Sequence, residues 1–172
     1  ALVLMTQYFF DVKDDFSVAL FAFFGTVVGY NFVKYDAIAR LNRTQIKKEL
    51  KTIVFLSFIS LLACFYFFTQ LSWMSKVSAF AFFGLTLLYT LPFFPNKQNA
   101  RNWKGVKIYI VGITWVGVTV ILPLLEAEIP FTMDVLLMAF QRFLLVFSIV
   151  LVFDIVDVKH DDIHLQTVPQ KI

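Results

Sequence analysis

Cysteine and histidine are scarce in this 172-residue chain, which has one cysteine and two histidines. Because Cys64 has no second cysteine to pair with, the sequence excludes an internal disulfide, and its place in an apolar stretch predicts a small buried side chain. His160 and His164 indicate zinc only weakly, since a structural zinc site takes four ligands and commonly draws several of them from cysteine. An internal disulfide therefore does not stabilise this fold, and zinc is only weakly indicated.

Charge is scarce as well, and its distribution is uneven. Charged residues make up 16% of the chain, whereas 59% is hydrophobic and 18% aromatic, with 22 phenylalanines. In a soluble domain the apolar residues are about half of the total even when glycine is included. Four intervals have no charged side chain, and each is long enough to cross the roughly 30 Å hydrocarbon layer as a helix. They are residues 16–33, 52–75, 77–96 and 108–125.

A fifth apolar stretch, residues 135–153, is interrupted only by Arg142. Residues 1–10 are uncharged but too short to cross a bilayer, so we interpret them as the end of an earlier helix. The sequence thus predicts an all-α, polytopic transmembrane helix bundle with five complete spans. We expect one domain over residues 1–172, incomplete at both ends.

Glycine and proline are few, with six and five residues respectively. Pro123 and Pro130 are predicted to bracket the turn before the fifth stretch, because proline interrupts a helix. Gly25 and Gly29 lie four residues apart, a spacing that predicts close helix packing.

Loop charges predict the orientation. The segments 34–51 and 97–107 are rich in lysine and arginine, whereas 11–15 and 126–134 are mainly acidic. Short basic loops stay on the cytoplasmic side of a membrane. We therefore expect an integral protein of a plasma membrane, the bacterial inner membrane, with both basic loops and the end of the fifth span facing the cytoplasm. Its surroundings are membrane lipids, and no nucleic-acid partner is expected.

Three aspartates follow the fifth span in the pattern D-x-x-D-x-x-x-D: Asp154, Asp157 and Asp161. On a continuing helix they fall at about 0°, 300° and 340° around the axis, which places them on one stripe. Three neighbouring carboxylates repel each other unless a cation is bound, so the pattern predicts a divalent metal that also binds phosphate. The adjacent Asp162 is interpreted as a bystander.

These residues resemble the UbiA superfamily of intramembrane prenyltransferases, whose members carry two aspartate-rich motifs after the second and sixth of about nine helices. Asp154, Asp157 and Asp161 match the second motif, and Thr167-Val168-Pro169 is similar to the Thr-x-Pro that follows it. The segment 88–92, Leu-Tyr-Thr-Leu-Pro, looks like the family's link between its fourth and fifth helices.

The resemblance implies Mg²⁺-dependent transfer of a prenyl group from a prenyl diphosphate to a lipophilic or aromatic acceptor, such as a quinone or pigment precursor. It assigns Asp154, Asp157 and Asp161 to catalysis and metal binding. The basic residues that would bind the diphosphate are Lys97, Arg101 and Lys104, with Lys34 and Arg40 as further candidates near the first motif. A CDP-alcohol phosphotransferase is excluded, because its D-x-x-D-G-x-x-A-R signature is absent.

The first motif departs from the family pattern N-D-x-x-D-x-x-x-D. Asn31 matches and is assigned to the diphosphate, but Phe32, Tyr35 and Ala39 stand where aspartates would be. Asp36, assigned to the metal, is one residue out of register. The Gly before Thr-x-Pro is missing too. The chain is therefore expected to be a divergent member, and the alternative is a non-catalytic relative that acts as a membrane subunit or lipid-binding scaffold beside a membrane-protein partner.

Arg142 is the one charge inside the fifth span. An intramembrane charge is costly and by default indicates function. However, Arg142 lies about 18 Å along the helix from Asp154 and about 120° away from the aspartate stripe. We expect it to pair with Gln141, a backbone carbonyl or an outer acidic residue, and do not assign it to the site.

Overall fold

A computed structural model describes residues 1–12, 16–41, 48–90 and 106–157, with side chains for 1–12, 16–32, 51–88, 106 and 108–153. Every element in these ranges is helical. The helices are α1 (Leu2–Phe9), α2 (Phe16–Leu41), α3 (Lys48–Gln70), α4 (Trp73–Thr90), α5 (Val106–Val116), α6 (Leu122–Glu126) and α7 (Met133–Asp157). A π-helical segment, Gly117–Ile121, joins α5 to α6 without a break.

The helices overlap the uncharged intervals without sharing their ends: α2 continues past Lys34 to Leu41, and α4 begins at Trp73, before Lys76. A backbone surrounded by hydrocarbon must satisfy its own hydrogen bonds, which favours helix in such intervals. Three of them are long and apolar enough to cross a membrane: Lys51–Gln70, Ile108–Glu126 and Met133–Phe153. The apolar stretches Phe16–Phe32 and Trp73–Leu88 are shorter. All described elements are therefore helical, as predicted, and the three long apolar helices support a membrane-embedded protein. Within residues 1–10, Leu2–Phe9 form a helix.

Neighbouring helices run antiparallel. Along α2 and α3, Phe21 meets Phe68 with ring centroids 6.0 Å apart, and ten residues later Asn31 donates a hydrogen bond to Ser57. Along α5 and α7, the rings of Tyr109 and Phe147 lie 5.9 Å apart. At the opposite end of that pair, Val120 and Leu124 pack with Val135 and Met138.

The antiparallel order sorts the helix ends into two groups. One end of the bundle, the acidic end, collects Asp11, Glu126, Glu128 and Asp134 in or beside the turns between helices. The opposite end, the basic end, holds the end of α2, the start of α3, the start of α5 and the end of α7.

The interior of this bundle contains polar as well as apolar side chains, and many large apolar side chains lie on its outside. The buried polar residues are Thr6, Gln7, Ser60, Ser75, Thr119 and Arg142. Large apolar side chains such as Phe55, Phe65 and Phe140 are more than 60% exposed. In water this distribution would be unfavourable, whereas in lipid the outward apolar surface is solvated by hydrocarbon and the inner polar groups bond between helices.

Two sequence expectations about glycine and proline are corrected. A Cβ at Gly25 would lie an ordinary 3.6 Å from the Cys64 sulfur, and at Gly29 it would meet no described atom within 4 Å. The close contacts occur instead at Gly112 and Gly117, where a Cβ would come within 2.7 Å of the Phe143 ring and 2.2 Å of the Phe82 ring. The sequence spacing missed them because the partner rings come from distant helices.

Pro123 does not end its helix. The chain continues helically to Glu126, and the π-helical segment directly before α6 accommodates the missing N–H of Pro123. The turn predicted between Pro123 and Pro130 therefore begins later than expected, after Glu126.

Cys64 is half-buried at the interface of α2 and α3 rather than fully buried, with its thiol 3.9 Å from the Phe21 carbonyl oxygen.

The start of α4 is held by a residue from another helix. The Ser72 hydroxyl accepts from the Ser75 N–H at 3.4 Å, as an N-cap residue does. The Ser72 N–H donates to both carboxylate oxygens of Glu126, at 3.1 and 3.0 Å. In a capping box this second role belongs to a Glu three residues along the same helix. Here a residue 54 positions away fulfils it and joins α4 to α6.

Replacing Glu126 with alanine is expected to destabilise the folded protein by about 1 kcal/mol, because an orphan helix N–H loses its acceptor. Glu126→Gln retains an acceptor oxygen and should lose less than half as much. Detergent unfolding monitored by circular dichroism checks this order. Equal losses in the two variants would show that the carboxylate charge, not the hydrogen bond, stabilises the junction.

Candidate functional site

The aspartates of the candidate site stand at the last turns of α7. Asp154 and Asp157 belong to the helix, three residues apart and thus about 60° apart around its axis. The end of α7 confirms that the helix continues into the motif as far as Asp157. Asp161 lies outside the described residues, as do the trailing residues 167–169.

Of the other predicted site residues, Asp36 falls in the basic segment 34–51, and Lys97, Arg101 and Lys104 fall in the basic segment 97–107. Asp36 belongs to the last turns of α2, where the backbone is helical. Lys97, Arg101 and Lys104 lie outside the described residues. Their assignments to metal and diphosphate stay predictions. What the fold contributes is the antiparallel order, which brings the end of α2 and the end of α7 to the same end of the bundle.

Asn31 is the one predicted site residue whose side chain is described. Its amide nitrogen donates to the Ser57 hydroxyl at 2.8 Å, and that hydroxyl donates to the Ile53 carbonyl at 2.8 Å. The chain of two hydrogen bonds fixes the amide against α3. Asn31 is half-buried, less than two turns of α2 before Asp36. Its contact with α3 is a structural role that the sequence motif did not indicate.

The carboxylate residues at the basic end match the ligand type that Mg²⁺ prefers. Mg²⁺ takes oxygen ligands, commonly one or two carboxylates together with phosphate oxygens and waters. Asp154 and Asp157 are carboxylate residues at backbone positions about 60° apart on one helix. Among the residues described with side chains, no group of three or more His, Cys, Asp or Glu could hold a metal.

A second polar cluster lies nearer the acidic end and involves residues that the sequence did not single out. The Arg142 guanidinium donates to the Leu2 carbonyl at 3.0 Å and to the Thr6 hydroxyl at 3.4 Å. The Thr6 hydroxyl donates to the Thr119 carbonyl at 2.7 Å. Of the partners expected for Arg142, a backbone carbonyl is the one observed. This cluster, Arg142–Thr6–Thr119, joins α7, α1 and the π-helical segment.

Pro123 explains why Thr119 needs a partner from α1. In an α-helix the Thr119 carbonyl would accept from the N–H of residue 123, and proline has none. The helix widens here, so the Leu122 N–H bonds to the Gly117 carbonyl five residues back. The Thr6 hydroxyl satisfies the carbonyl that Pro123 leaves. The signal available in the sequence was a proline inside an apolar span, because the carbonyl four residues before it loses its N–H donor.

Thr6→Val is expected to destabilise the bundle by about 1–2 kcal/mol, because two interhelical hydrogen bonds are lost and each is worth about 0.6 kcal/mol on average in membranes, up to about 1.7. SDS-induced unfolding from mixed micelles measures the change. Thr26→Val is the matched control, since the Thr26 hydroxyl donates to Ala22 of its own helix. A loss in Thr26→Val as large as that in Thr6→Val would contradict the assignment.

Comparison of the chain with protein-family models, with curated proteins and with solved structures finds no match in any of the three.

Proposed function

We propose that this protein is an integral-membrane prenyltransferase of the UbiA type, which uses Mg²⁺ to transfer a prenyl group from its diphosphate to a lipophilic or aromatic acceptor. The observation that carries the proposal is the sequence pattern at the end of α7. Two aspartates one turn apart belong to that helix end, and Asp36 belongs to the helix end of α2 at the same end of the bundle.

The chemistry matches a helix bundle in lipid. A prenyl diphosphate has an apolar tail that prefers hydrocarbon and a charged head that prefers water and cations. The allylic carbon–oxygen bond breaks with its electron pair leaving on the diphosphate, while the acceptor's nucleophilic atom forms the new bond and loses a proton to solvent. Bound Mg²⁺ would neutralise the leaving diphosphate.

The residues of the proposed site have separate roles. Asp154, Asp157, Asp161 and Asp36 are proposed to hold Mg²⁺, and Asn31, Lys97, Arg101 and Lys104 to bind the diphosphate. Catalysis in such a site is mainly electrostatic and positional, because positive charge grows on the prenyl carbon and negative charge on the diphosphate.

The membrane arrangement proposed with this function has five spans. Two of the helices, α2 and α4, run antiparallel to α3 and to α5–α6 respectively, so they too would cross the bilayer although their described apolar parts are shorter. With the basic end at the cytoplasm of a bacterial inner membrane, the diphosphate would be drawn from the cytoplasmic side.

A non-catalytic membrane subunit or lipid-binding scaffold is the second candidate. The hydrogen bond between Asn31 and Ser57 supports it, because the only residue that matches the first motif cleanly already has a structural partner. In this case the aspartates at the end of α7 would be a solvated helix end, and the protein would act beside another membrane protein.

Binding of a non-hydrolysable prenyl diphosphate to the protein in detergent tests the two candidates. We expect Mg²⁺-dependent binding that is lost on chelation and in the double variant Asp154→Asn/Asp157→Asn. Retained binding in the double variant would move the site elsewhere. An absence of binding to the wild-type protein, with circular dichroism confirming its helical fold, would favour the scaffold.

A further inference from the structure

The side-chain amide of Asn31 contacts a hydroxyl that has only one hydrogen to donate. Asn31 lies in the half of α2 nearer the basic end, and its amide nitrogen is 2.8 Å from the Ser57 hydroxyl oxygen on α3. That hydroxyl donates its hydrogen to the Ile53 carbonyl, also at 2.8 Å. Because a serine hydroxyl has one hydrogen and two lone pairs, the Ser57 oxygen can only accept from Asn31.

The hydrogen bond from Ser57 to Ile53 decides which way the Asn31 amide faces. With the amide turned over, its oxygen would meet the Ser57 oxygen with no hydrogen between them, and the bond to Ile53 would have to break to supply one. The amide nitrogen therefore faces α3. The amide oxygen has no partner among the residues described with side chains, and it can accept from a ligand.

The surroundings of this pair strengthen its hydrogen bonds. Ser57 and Asn31 are both half-buried, and the neighbouring side chains of α3, Phe55, Leu56 and Phe58, are exposed apolar groups. Where apolar groups exclude water, a broken hydrogen bond finds no replacement partner. The bond from Ser57 to Ile53 is also local to α3, four residues back along the same helix, so it does not depend on the position of α2.

An amide oxygen without a partner matches a cation better than an anion. Mg²⁺ takes oxygen ligands and usually keeps several waters, whereas the oxygens of a diphosphate are acceptors and need donors. One of the two hydrogens on the Asn31 nitrogen is already used by Ser57. Assigning the whole amide to the diphosphate, as the sequence motif does, would place the amide oxygen beside negatively charged phosphate oxygens.

We infer that Ser57 is a positioning residue of the proposed site, which holds the Asn31 nitrogen against α3 so that the amide oxygen accepts from Mg²⁺-bound water or binds Mg²⁺ itself. The inference rests on the proposed prenyl transfer and changes the role of Asn31 from a donor to the diphosphate into an acceptor toward the cation. Ser57 acts only through Asn31. The sequence motif did not indicate it, because it lies 26 residues away on another helix.

A double-mutant cycle on Mg²⁺-dependent binding of a non-hydrolysable prenyl diphosphate tests the inference. Ser57→Ala lets the Asn31 amide turn over and should weaken binding about fivefold, the ratio that about 1 kcal/mol produces. Asn31→Asp has two equivalent oxygens, so orientation no longer matters, and adding Ser57→Ala to it should change the affinity by less than about twofold. An equal loss in both backgrounds would reduce Ser57 to helix packing and overturn the inference.

Two further variants control this cycle. Ser57→Thr keeps a hydroxyl that can bond the carbonyl four residues back, so its affinity should stay within about twofold of the wild-type value. Ser148→Ala is the matched control, because the Ser148 hydroxyl donates to the Leu144 carbonyl of its own helix at 2.8 Å and no described side chain from another helix bonds to it. Should Ser57→Ala fail to fold, Ser57→Cys replaces the oxygen by a weak acceptor and should lose affinity in the same direction.

The side-chain amide protons give a readout that does not depend on prenyl transfer. The chain has five asparagines, so labelling with ¹⁵N-asparagine gives five pairs of side-chain signals, and the pair that is lost in Asn31→Asp belongs to Asn31. We expect one Asn31 amide proton to exchange with water about fivefold more slowly than the other, and this difference to vanish in Ser57→Ala. Equal exchange of the two protons in the wild-type protein would overturn the inference.

A failure of the proposed function has a different signature. If the wild-type protein binds no prenyl diphosphate, the proposed prenyl transfer is wrong, and the role of Asn31 toward the cation is wrong with it. If the wild-type protein binds with Mg²⁺ and Ser57→Ala binds equally well, only the role of Ser57 is wrong.

Discussion

Asp157→Asn should weaken Mg²⁺-dependent binding of a prenyl diphosphate by about 100-fold or more while the protein still inserts and folds. The substitution removes one negative charge and one carboxylate from the proposed metal site. Mutating groups that only support metal ligands already costs about 10–100-fold in metal affinity or activity, so loss of a direct ligand should reach or exceed that range. Isothermal titration with a non-hydrolysable analogue, with and without Mg²⁺, measures the change.

Asp162→Asn is the control for this prediction, because it removes the same charge from the same short segment without belonging to the D-x-x-D-x-x-x-D pattern. We expect an effect below about threefold, which corresponds to less than about 0.7 kcal/mol. If Asp162→Asn loses as much as Asp157→Asn, a different set of carboxylates holds the metal. If Asp157→Asn keeps full affinity, the proposed function is wrong.

Arg142→Met should detach α1 from the bundle. In lipid an unpaired arginine near a helix centre costs about 2.5–3.5 kcal/mol on insertion scales, and the Leu2 carbonyl and Thr6 hydroxyl reduce that cost only when α1 is docked. Methionine needs no such partners. The free energy that favours docked over undocked α1 therefore falls by about 2–3 kcal/mol, and the undocked fraction rises by roughly 30–150-fold.

Thiol labelling measures this change. In a Cys64→Ala background, Val3→Cys places a thiol at a position that is 6% exposed in the docked helix. The thiol should react slowly with a maleimide in the protein that retains Arg142. In the Arg142→Met variant the reaction should be roughly 30–150-fold faster. Gln141→Met is the control, since Gln141 is exposed beside Arg142. Slow labelling in the Arg142→Met protein would show that apolar packing alone holds α1.

The sequence predicted the helices well because the bilayer imposes a simple rule on the chain. A run without charges is expected to be helical in hydrocarbon, and residues 108–125 lie within the continuous run from α5 to α6, which ends at Glu126. Residues 52–75 instead include the end of α3 at Gln70 and the start of α4 at Trp73, so no charge marks that boundary. The antiparallel order then follows because successive helices alternate in direction. Pairing of Arg142 with a backbone carbonyl was predicted as one of three options.

The contacts between helices were not predictable, because they depend on residues far apart in the sequence. Nothing near Thr6 indicates that its hydroxyl will meet the Thr119 carbonyl 113 residues later. The glycine spacing pointed to Gly25, while the close ring contacts formed at Gly112 and Gly117. For the candidate site, sequence pattern identified the aspartates, and the fold adds that α2 and α7 end at the same side.

The same long-range hydrogen bonds impose an order on biosynthesis. Thr6 leaves the ribosome 136 residues before its partner Arg142. At about 5–20 residues per second, the gap lasts roughly 7–27 s. Over the first 113 residues of that interval α1 has neither the arginine nor the Thr119 carbonyl available, so it must wait in the membrane, at the surface or with a chaperone. Although α1 precedes the other described helices in the chain, its docking by these hydrogen bonds is complete only after α7 has been made.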